Sequence, residues 1–129
     1  MDSPFASLLE TGTRLWLDSV DPALVPQHRD WGFTGATSNP VIIAGIVQSG
    51  AYGDRLQTLM AEERDNAVVA WRLTDAIVSE AQDVFHDVWR ATSGDDGYVS
   101  FEVDPLLEDP EAGYTHAERV QRYIELATY

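Results

Sequence analysis

Short apolar runs alternate with longer amphipathic stretches along this chain. Three of the runs have the length and the β-branched, aromatic and small residues that strands favour: RLWLDS at 14–19, WGFTGATSNP at 31–40 and GYVSFEVDP at 97–105. A turn-forming SGDDG segment leads into the third run. We therefore expect strands near 14–18, 33–37 and 98–103.

The stretches outside these runs carry the start signals of helices. Each signal is a capping residue followed by proline or a capping box, and they lie at Ser3-Pro4, Asp21-Pro22, Asn39-Pro40 and Thr115 with Glu118. The longest stretch repeats apolar residues about every 3.6 positions, with charged residues between them. The predicted helices are a short leading helix before Gly12, one reaching about Arg29, one from Pro40, and others at about 54–63, 66–92 and 115–127.

The predicted order is one helix followed by three strand-helix units. Consecutive βα units favour a parallel sheet, with strands adjacent in chain order and right-handed crossovers. Side chains alternate along the third strand, so one face packs under the helices through Val99, Phe101 and Val103. The opposite face, toward an enclosed interior, is expected to carry Trp16, Ala36, Tyr98, Ser100 and Glu102. The fold class is thus α/β, a partial TIM (β/α)8 barrel of about three parallel strands, in a single domain over residues 1–129.

The charge balance is strongly acidic: 22 acidic residues stand against eight basic ones, all of them arginine, for a net charge of −14. Such a surface repels phosphate backbones and anionic lipid, so we expect no nucleic-acid or membrane partner. The absence of cysteine excludes disulfides and thiolate chemistry. No apolar run approaches the roughly 20 residues of a membrane span, and the N-terminal sequence lacks a secretory pattern. The expected location is therefore the cytoplasm.

Each predicted strand ends in a polar side chain that could carry chemistry: Asp18, Asn39 and Glu102. Each also has an ordinary structural interpretation. Asn39 before proline is a favoured N-cap, Asp18 is a typical turn acid, and Glu102 could face water from a half-buried sheet. The histidines show no ligand spacing and the GDDG turn fails the spacing of a calcium loop, so neither a metal nor another cofactor is expected.

The same motifs resemble those of the transaldolase family. LWLDS matches its first strand, GATSNP its second, and VSFEVDP, with the acidic proline-containing loop behind it, its third. The resemblance extends over nearly the whole chain and implies a (β/α)8 barrel whose active site lies at the C-terminal ends of the strands. It also implies transfer of a three-carbon dihydroxyacetone unit between sugar phosphates, as in the pentose phosphate pathway, through a lysine Schiff base.

By this resemblance, Asp18 hydrogen-bonds substrate hydroxyls and takes part in proton transfer, and Asn39 holds a hydroxyl of the Schiff-base intermediate. Glu102 acts through a water as acid and base, and Thr37 and Ser38 are expected to bind substrate. The family's lysine lies on a fourth strand that would follow residue 129, and this chain contains no lysine. We therefore expect no transaldolase chemistry from this chain alone.

Two hypotheses of different class fit these motifs. The chain is either part of an enzyme whose lysine comes from a complementary C-terminal chain, with a sugar phosphate as ligand, or a non-catalytic oligomeric or binding module derived from the transaldolase fold. Three strands cannot close a barrel of eight, so sheet edges and an interior face would stay uncovered. We expect either the complementary chain or a discrete homo-oligomer, most simply a dimer, to cover them.

Overall fold

The structure is a computed structural model that describes residues 3–128. Its helices and strands follow one another as α1 (Ala6–Leu9), β1 (Trp16–Leu17), α2 (Val25–Asp30), β2 (Gly35–Ala36), α3 (Pro40–Gln48), α4 (Gly53–Glu62), α5 (Asn66–Ala91) and α6 (His116–Ala127). Two 3₁₀ helices, Pro105–Glu108 and Pro110–Ala112, lie between α5 and α6. Every predicted helix is present. The first two are shorter than expected. α2 begins late because Asp21 forms a turn, accepting a hydrogen bond from Ala23 N.

The strands pair in the predicted order and direction. β1 and β2 are parallel, with Trp16 opposite Gly35, and β2 is joined to the third segment by a parallel bridge between Ala36 and Val99. The extent expected for the third strand, 98–103, is wrong. Regular pairing stops just after the bridge, where two serine hydroxyls take the place of one direct backbone hydrogen bond.

One face of this small sheet is buried under the helices. Ala36 and Val99 lie on it in the hydrophobic core, and the partly buried Leu17 packs against that core. The expectation that Ala36 faces the interior is therefore wrong, and the interior-facing position in β2 is Gly35. A Cβ on Gly35 would lie 2.8 Å from the Trp16 ring, so only glycine allows that ring to cover the strand.

The opposite face of the sheet is open. Trp16 and Tyr98 lie side by side on it, with ring centroids 6.4 Å apart, as the alternation predicted. Trp16 is 40% exposed and Tyr98 is 46% exposed. Two adjacent aromatic side chains left this accessible are typical of a surface that another part of a protein covers.

The core is built on α5, the longest helix. Asp65 caps its first turn by accepting hydrogen bonds from the backbone N–H groups of Ala67 and Val68. The helix packs on α2, α4 and β2. Its buried residues recur at helical spacing and are Val69, Leu73, Ile77, Val78, Ala81 and Phe85. Although α5 has 26 residues, no helix within residues 3–128 is long and apolar enough to cross a membrane.

The last helix, α6, begins at the predicted capping box. Thr115 Oγ1 accepts a hydrogen bond from Glu118 N, and the Glu118 carboxylate accepts one from Thr115 N. α6 is tied to the first 3₁₀ helix, where the Glu108 carboxylate accepts hydrogen bonds from Arg119 and Tyr123. None of the residues of α6, 116–127, is buried, so its apolar side does not pack against the core.

Candidate active site

The predicted site residues come from one edge of the sheet, because the C-terminal ends of parallel strands meet there. Asp18 directly follows β1, residues 37–39 directly follow β2, and Glu102 lies three residues after the bridged Val99. Three segments far apart in the sequence therefore deliver their polar side chains to neighbouring positions.

Asp18 is held by the neighbouring strand. Thr37 Oγ1 donates a 2.8 Å hydrogen bond to Asp18 Oδ1, and Thr37 N donates one of 2.7 Å to Leu17 O. These two bonds continue the pairing of β1 with β2 by one residue and keep the carboxylate at the strand end. Asp18 stays exposed, so its carboxylate is accessible to water or to a ligand.

Ser38 is buried, and its backbone N–H and its hydroxyl are both bound to Ser100. The Ser38 N–H donates to Ser100 Oγ at 3.2 Å, and Ser38 Oγ donates to Ser100 O at 2.6 Å. Only 4% of Ser38 is exposed. Its hydroxyl is thus engaged within the protein, and the expected role of Ser38 in substrate binding stays a prediction.

Asn39 is the N-cap of α3. Its backbone is extended, its Oδ1 accepts a 2.9 Å hydrogen bond from Ile42 N, and Pro40 takes the first helical position. The capping interpretation of Asn39 is confirmed. Within residues 3–128 its side-chain nitrogen donates to no other group, so the cap leaves a hydrogen-bond donor free.

Asn39 and Glu102 line the same cavity. It has a volume of about 690 Å³ and lies between α3, α4, the first turns of α5 and the segment that follows the third strand. Its walls are mainly apolar, and Ser38 also contributes to them. The structure thus brings Ser38, Asn39 and Glu102 together, whereas Asp18 and Thr37 lie outside this lining.

Glu102 is exposed, and its carboxylate accepts no hydrogen bond from any group within residues 3–128. Glu102 and Asp104 are the charged side chains in the cavity lining, so the site as described carries negative charge without a cation. In the described part of the chain, no group of three His, Asp or Glu side chains could hold a metal ion. A free carboxylate and a free amide donor that line one cavity can bind a hydroxylated ligand or an ordered water.

A comparison with protein-family models matches residues 15–128 to the transaldolase/fructose-6-phosphate aldolase family. The chain belongs to this family. The matched range begins at the first residue of the LWLDS motif and includes the GATSNP and VSFEVDP motifs. The family resemblance predicted from those motifs is thereby confirmed.

Curated transaldolases are similar to this chain over most of its length. It is 35% identical to the transaldolase of Frankia alni over 125 residues, covering 92% of this chain and 33% of that protein. The transaldolase of Acidothermus cellulolyticus is also 35% identical, covering 91% of this chain, and that of Kocuria rhizophila is 29% identical, covering 97%. The chain spans about one third of the length of the curated relatives it matches.

A second polar cluster lies at the opposite end of the sheet and was missed by sequence reasoning. Asp96, only 3% exposed, accepts hydrogen bonds from Trp16 Nε1 at 3.1 Å and Gly97 N at 2.8 Å. The Arg14 guanidinium lies 3.6 Å from its other carboxylate oxygen. The cluster therefore joins the residues that lead into β1 to those that lead into the third strand.

This environment determines the ionisation of Asp96. Burial on its own would raise the pKa of the carboxyl, but the hydrogen bonds from Gly97 and Trp16 and the charge of Arg14 hold the pKa below its usual range. Asp96 is therefore a buried carboxylate that stays ionised. The sequence signal was an acid directly before a glycine at a strand start, and we interpreted that segment only as a turn.

Proposed function

We propose that this chain forms the first three βα units of a transaldolase-type (β/α)8 barrel and supplies part of a site that transfers a dihydroxyacetone unit between sugar phosphates. The observation that carries the proposal is the cavity lined by both Asn39 and Glu102 at the C-terminal ends of the strands. In (β/α)8 enzymes that end of the barrel carries the active site. Membership of the family supports the same reaction class.

Each proposed catalytic residue has a local environment suited to its role. Asp18 is fixed by Thr37 yet exposed, which suits a carboxylate that exchanges a proton with a substrate hydroxyl. Asn39 keeps a free amide donor for a substrate hydroxyl. Glu102 has an unoccupied carboxylate that can work through a water. Thr37 and Ser38 complete the proposed substrate-binding segment by holding neighbouring groups in place.

The amine for the Schiff base must come from another polypeptide segment, because this chain has no lysine. In that reaction the amine adds to the ketose carbonyl to give a carbinolamine, which loses water to form the imine. The nucleophile attacks as the neutral amine, and Glu102 is proposed to move the protons of the addition and of the dehydration. Glu102 and Asp104 at the cavity favour the approach of a cationic side chain.

Two observations support a covering polypeptide. The backbone N–H and C=O groups of Val99 and Phe101 point away from β2 and make no hydrogen bond within residues 3–128, which leaves a parallel edge open. The accessible surface is 8557 Å², whereas the area–mass relation for folded monomers gives about 6,800 Å² for 14.3 kDa. The excess is comparable to one partner's share of a large obligate interface.

We propose that the occupant is the lysine-bearing remainder of the barrel rather than a second copy. A second copy would bring another net charge of −14 and no lysine. A homo-oligomeric binding module is the competing function, and the open edge alone would also allow it. A cytoplasmic location and a place in pentose phosphate metabolism are parts of the same proposal, supported by family membership.

Reconstitution tests the proposal. This chain is mixed with the separately purified part of the Frankia alni transaldolase that it does not match, and consumption of fructose 6-phosphate is followed with an aldose phosphate acceptor. We expect transfer activity with the mixture, a loss of at least tenfold for Glu102→Gln, and no loss for the exposed control Glu111→Gln.

Light scattering on the same samples separates the alternatives. A complex of the two chains without any transfer activity would contradict the enzyme proposal and favour a binding module. A homodimer of this chain that excludes the added part would contradict the proposed occupant, and so would a stable mass of 14.3 kDa in the mixture.

A further inference from the structure

The pair Ser38 and Ser100 interrupts the sheet at the mouth of the cavity. The last regular bond between β2 and the third segment runs from Ser100 N to Ala36 O, at 3.0 Å. In a regular parallel ladder the next bond would run from Ser38 N directly to Ser100 O. Instead the Ser38 N–H donates to Ser100 Oγ, and Ser100 O accepts from Ser38 Oγ.

We propose that Ser38 and Ser100 are a positioning pair whose two hydroxyls hold the end of the third segment away from β2 and thereby open the space between Asn39 and Glu102. Together the two hydroxyls replace the single direct hydrogen bond from Ser38 N to Ser100 O that would otherwise bring β2 and the third segment together. The catalytic consequence of this spacing rests on the proposed function, whereas the spacing itself does not.

The positions of the serines in the sequence explain how they act on the site. Ser38 directly precedes Asn39, the N-cap of α3, so the placement of Ser38 sets where that helix starts. Ser100 lies two residues before Glu102 in the segment that follows the bridge. Moving Ser38 and Ser100 closer together would therefore move Asn39 and Glu102 closer together.

The two hydroxyls also depend on each other. Removing the Ser38 hydroxyl leaves Ser100 O without its partner, and removing the Ser100 hydroxyl leaves the Ser38 N–H without its partner. An unsatisfied buried polar group is costly, whereas removing both hydroxyls lets Ser38 N and Ser100 O bond directly. Losses that simply add would show that the two hydroxyls act independently of each other.

Nuclear magnetic resonance tests the geometry. In the wild-type chain we expect no through-hydrogen-bond coupling between the backbone nitrogen of residue 38 and the carbonyl carbon of residue 100. In the double variant Ser38→Ala/Ser100→Ala that coupling should appear, together with a stronger nuclear Overhauser effect between the side chains of Asn39 and Glu102. If the wild-type chain already shows the coupling between residues 38 and 100, that observation alone overturns the proposal.

Thermal unfolding adds a second readout. Each single alanine variant should lower the melting temperature by about 4 °C, and the double variant by no more than one single variant. Additive losses would overturn the proposal. The conservative variant Ser100→Thr keeps the hydroxyl and should keep the wild-type coupling pattern, whereas a direct 38–100 coupling in that variant would count against the pair.

The reconstituted mixture links the pair to the site. We expect at least a tenfold lower kcat for the double variant and little change for Ser100→Thr. If the wild-type mixture is inactive while the coupling pattern follows expectation, the proposed function fails and the positioning pair stands. If the mixture is active but the double variant keeps full kcat, the positioning role is wrong.

Discussion

The two ends of the small sheet solve different physical problems. At the N-terminal ends of the strands, Asp96 is buried and its carboxylate is bound by Trp16, Gly97 and Arg14. At the C-terminal ends, Glu102 is exposed and free of partners within residues 3–128. One end therefore uses its polar groups to join the strands, and the other leaves them available.

The difference extends to the backbone. Gly97 adopts φ +86° and lies against the last turns of α5, where there is no room for a side chain. At the other end, the serine hydroxyls widen the gap between β2 and the third segment. This division agrees with the general rule that stability resides at one end of a parallel barrel and chemistry at the other.

The largest expected effect is that of Gly97→Ala. A Cβ there would lie 2.8 Å from Trp89 Cα, and the left-handed backbone already disfavours a side chain. We expect a loss of about 4 kcal/mol in the free energy of urea unfolding, because the clash with backbone adds to the conformational strain. The matched control Gly113→Ala, with φ +69° and no atom within 4 Å of the added Cβ, should lose about 1 kcal/mol. Equal losses would show that packing against Trp89 is unimportant.

Asp96→Asn should have the next largest effect. The neutral amide weakens the bonds from Gly97 and Trp16 and the attraction to Arg14, so we expect a loss of about 2 kcal/mol at pH 7. The folded pKa of Asp96 is lowered, so its stabilisation is present above the unfolded pKa of about 3.9 and disappears as pH falls through the folded pKa.

The gap in unfolding free energy between wild type and Asp96→Asn should therefore be wide at pH 7 and should begin to narrow as pH falls below about 4. The exposed neighbour Asp95, whose side chain is 72% accessible, also pairs with Arg14. Asp95→Asn should cost no more than about 0.5 kcal/mol at either pH. If Asp96→Asn lost the same unfolding free energy at every pH, the ionised Asp96 carboxylate would not be the source of the stabilisation.

Substitutions of Asn39 separate the cap from the site. Asn39→Ala removes the acceptor for Ile42 N and should cost about 1 kcal/mol in chemical unfolding. Asn39→Asp keeps a capping oxygen but loses the amide donor, so its stability should match wild type within about 0.5 kcal/mol. In the reconstituted mixture both variants should lose transfer activity. Full activity of Asn39→Asp would show that the free amide is not used.

The smallest expected effect on stability is that of Glu102→Gln. The exposed carboxylate accepts no hydrogen bond within the described residues, so the free energy of unfolding should change by less than about 0.5 kcal/mol. A larger loss, measured by urea unfolding beside Asp96→Asn, would mean that both ends of the sheet contribute to stability and would remove the contrast between them.

The sequence predicted those features that depend on local signals. Capping residues located the starts of α3 and α6, and motif resemblance placed Asp18, Asn39 and Glu102 at the ends of neighbouring segments. The face of Ala36 was predicted wrongly because β2 is two residues long, and alternation needs a longer run to fix its phase.

Other features depend on contacts between distant residues. Trp16 and Asp96 are 80 positions apart, so no local pattern indicates that the acid is buried and hydrogen-bonded to the indole N–H. The serine pair joins residues 62 positions apart and replaces a backbone bond with side-chain bonds, which the composition of a strand does not reveal. Both features became visible only when the three segments were placed side by side.

Borohydride trapping tests the central claim most directly, because it identifies the chain that carries the reactive amine. The reconstituted mixture is reduced in the presence of fructose 6-phosphate, and its peptides are analysed by mass spectrometry. We expect the sugar adduct on a lysine of the complementary polypeptide and on no internal residue of this chain, which has no lysine. An adduct on an internal residue of this chain, or transfer activity without any trapped adduct, would contradict the account.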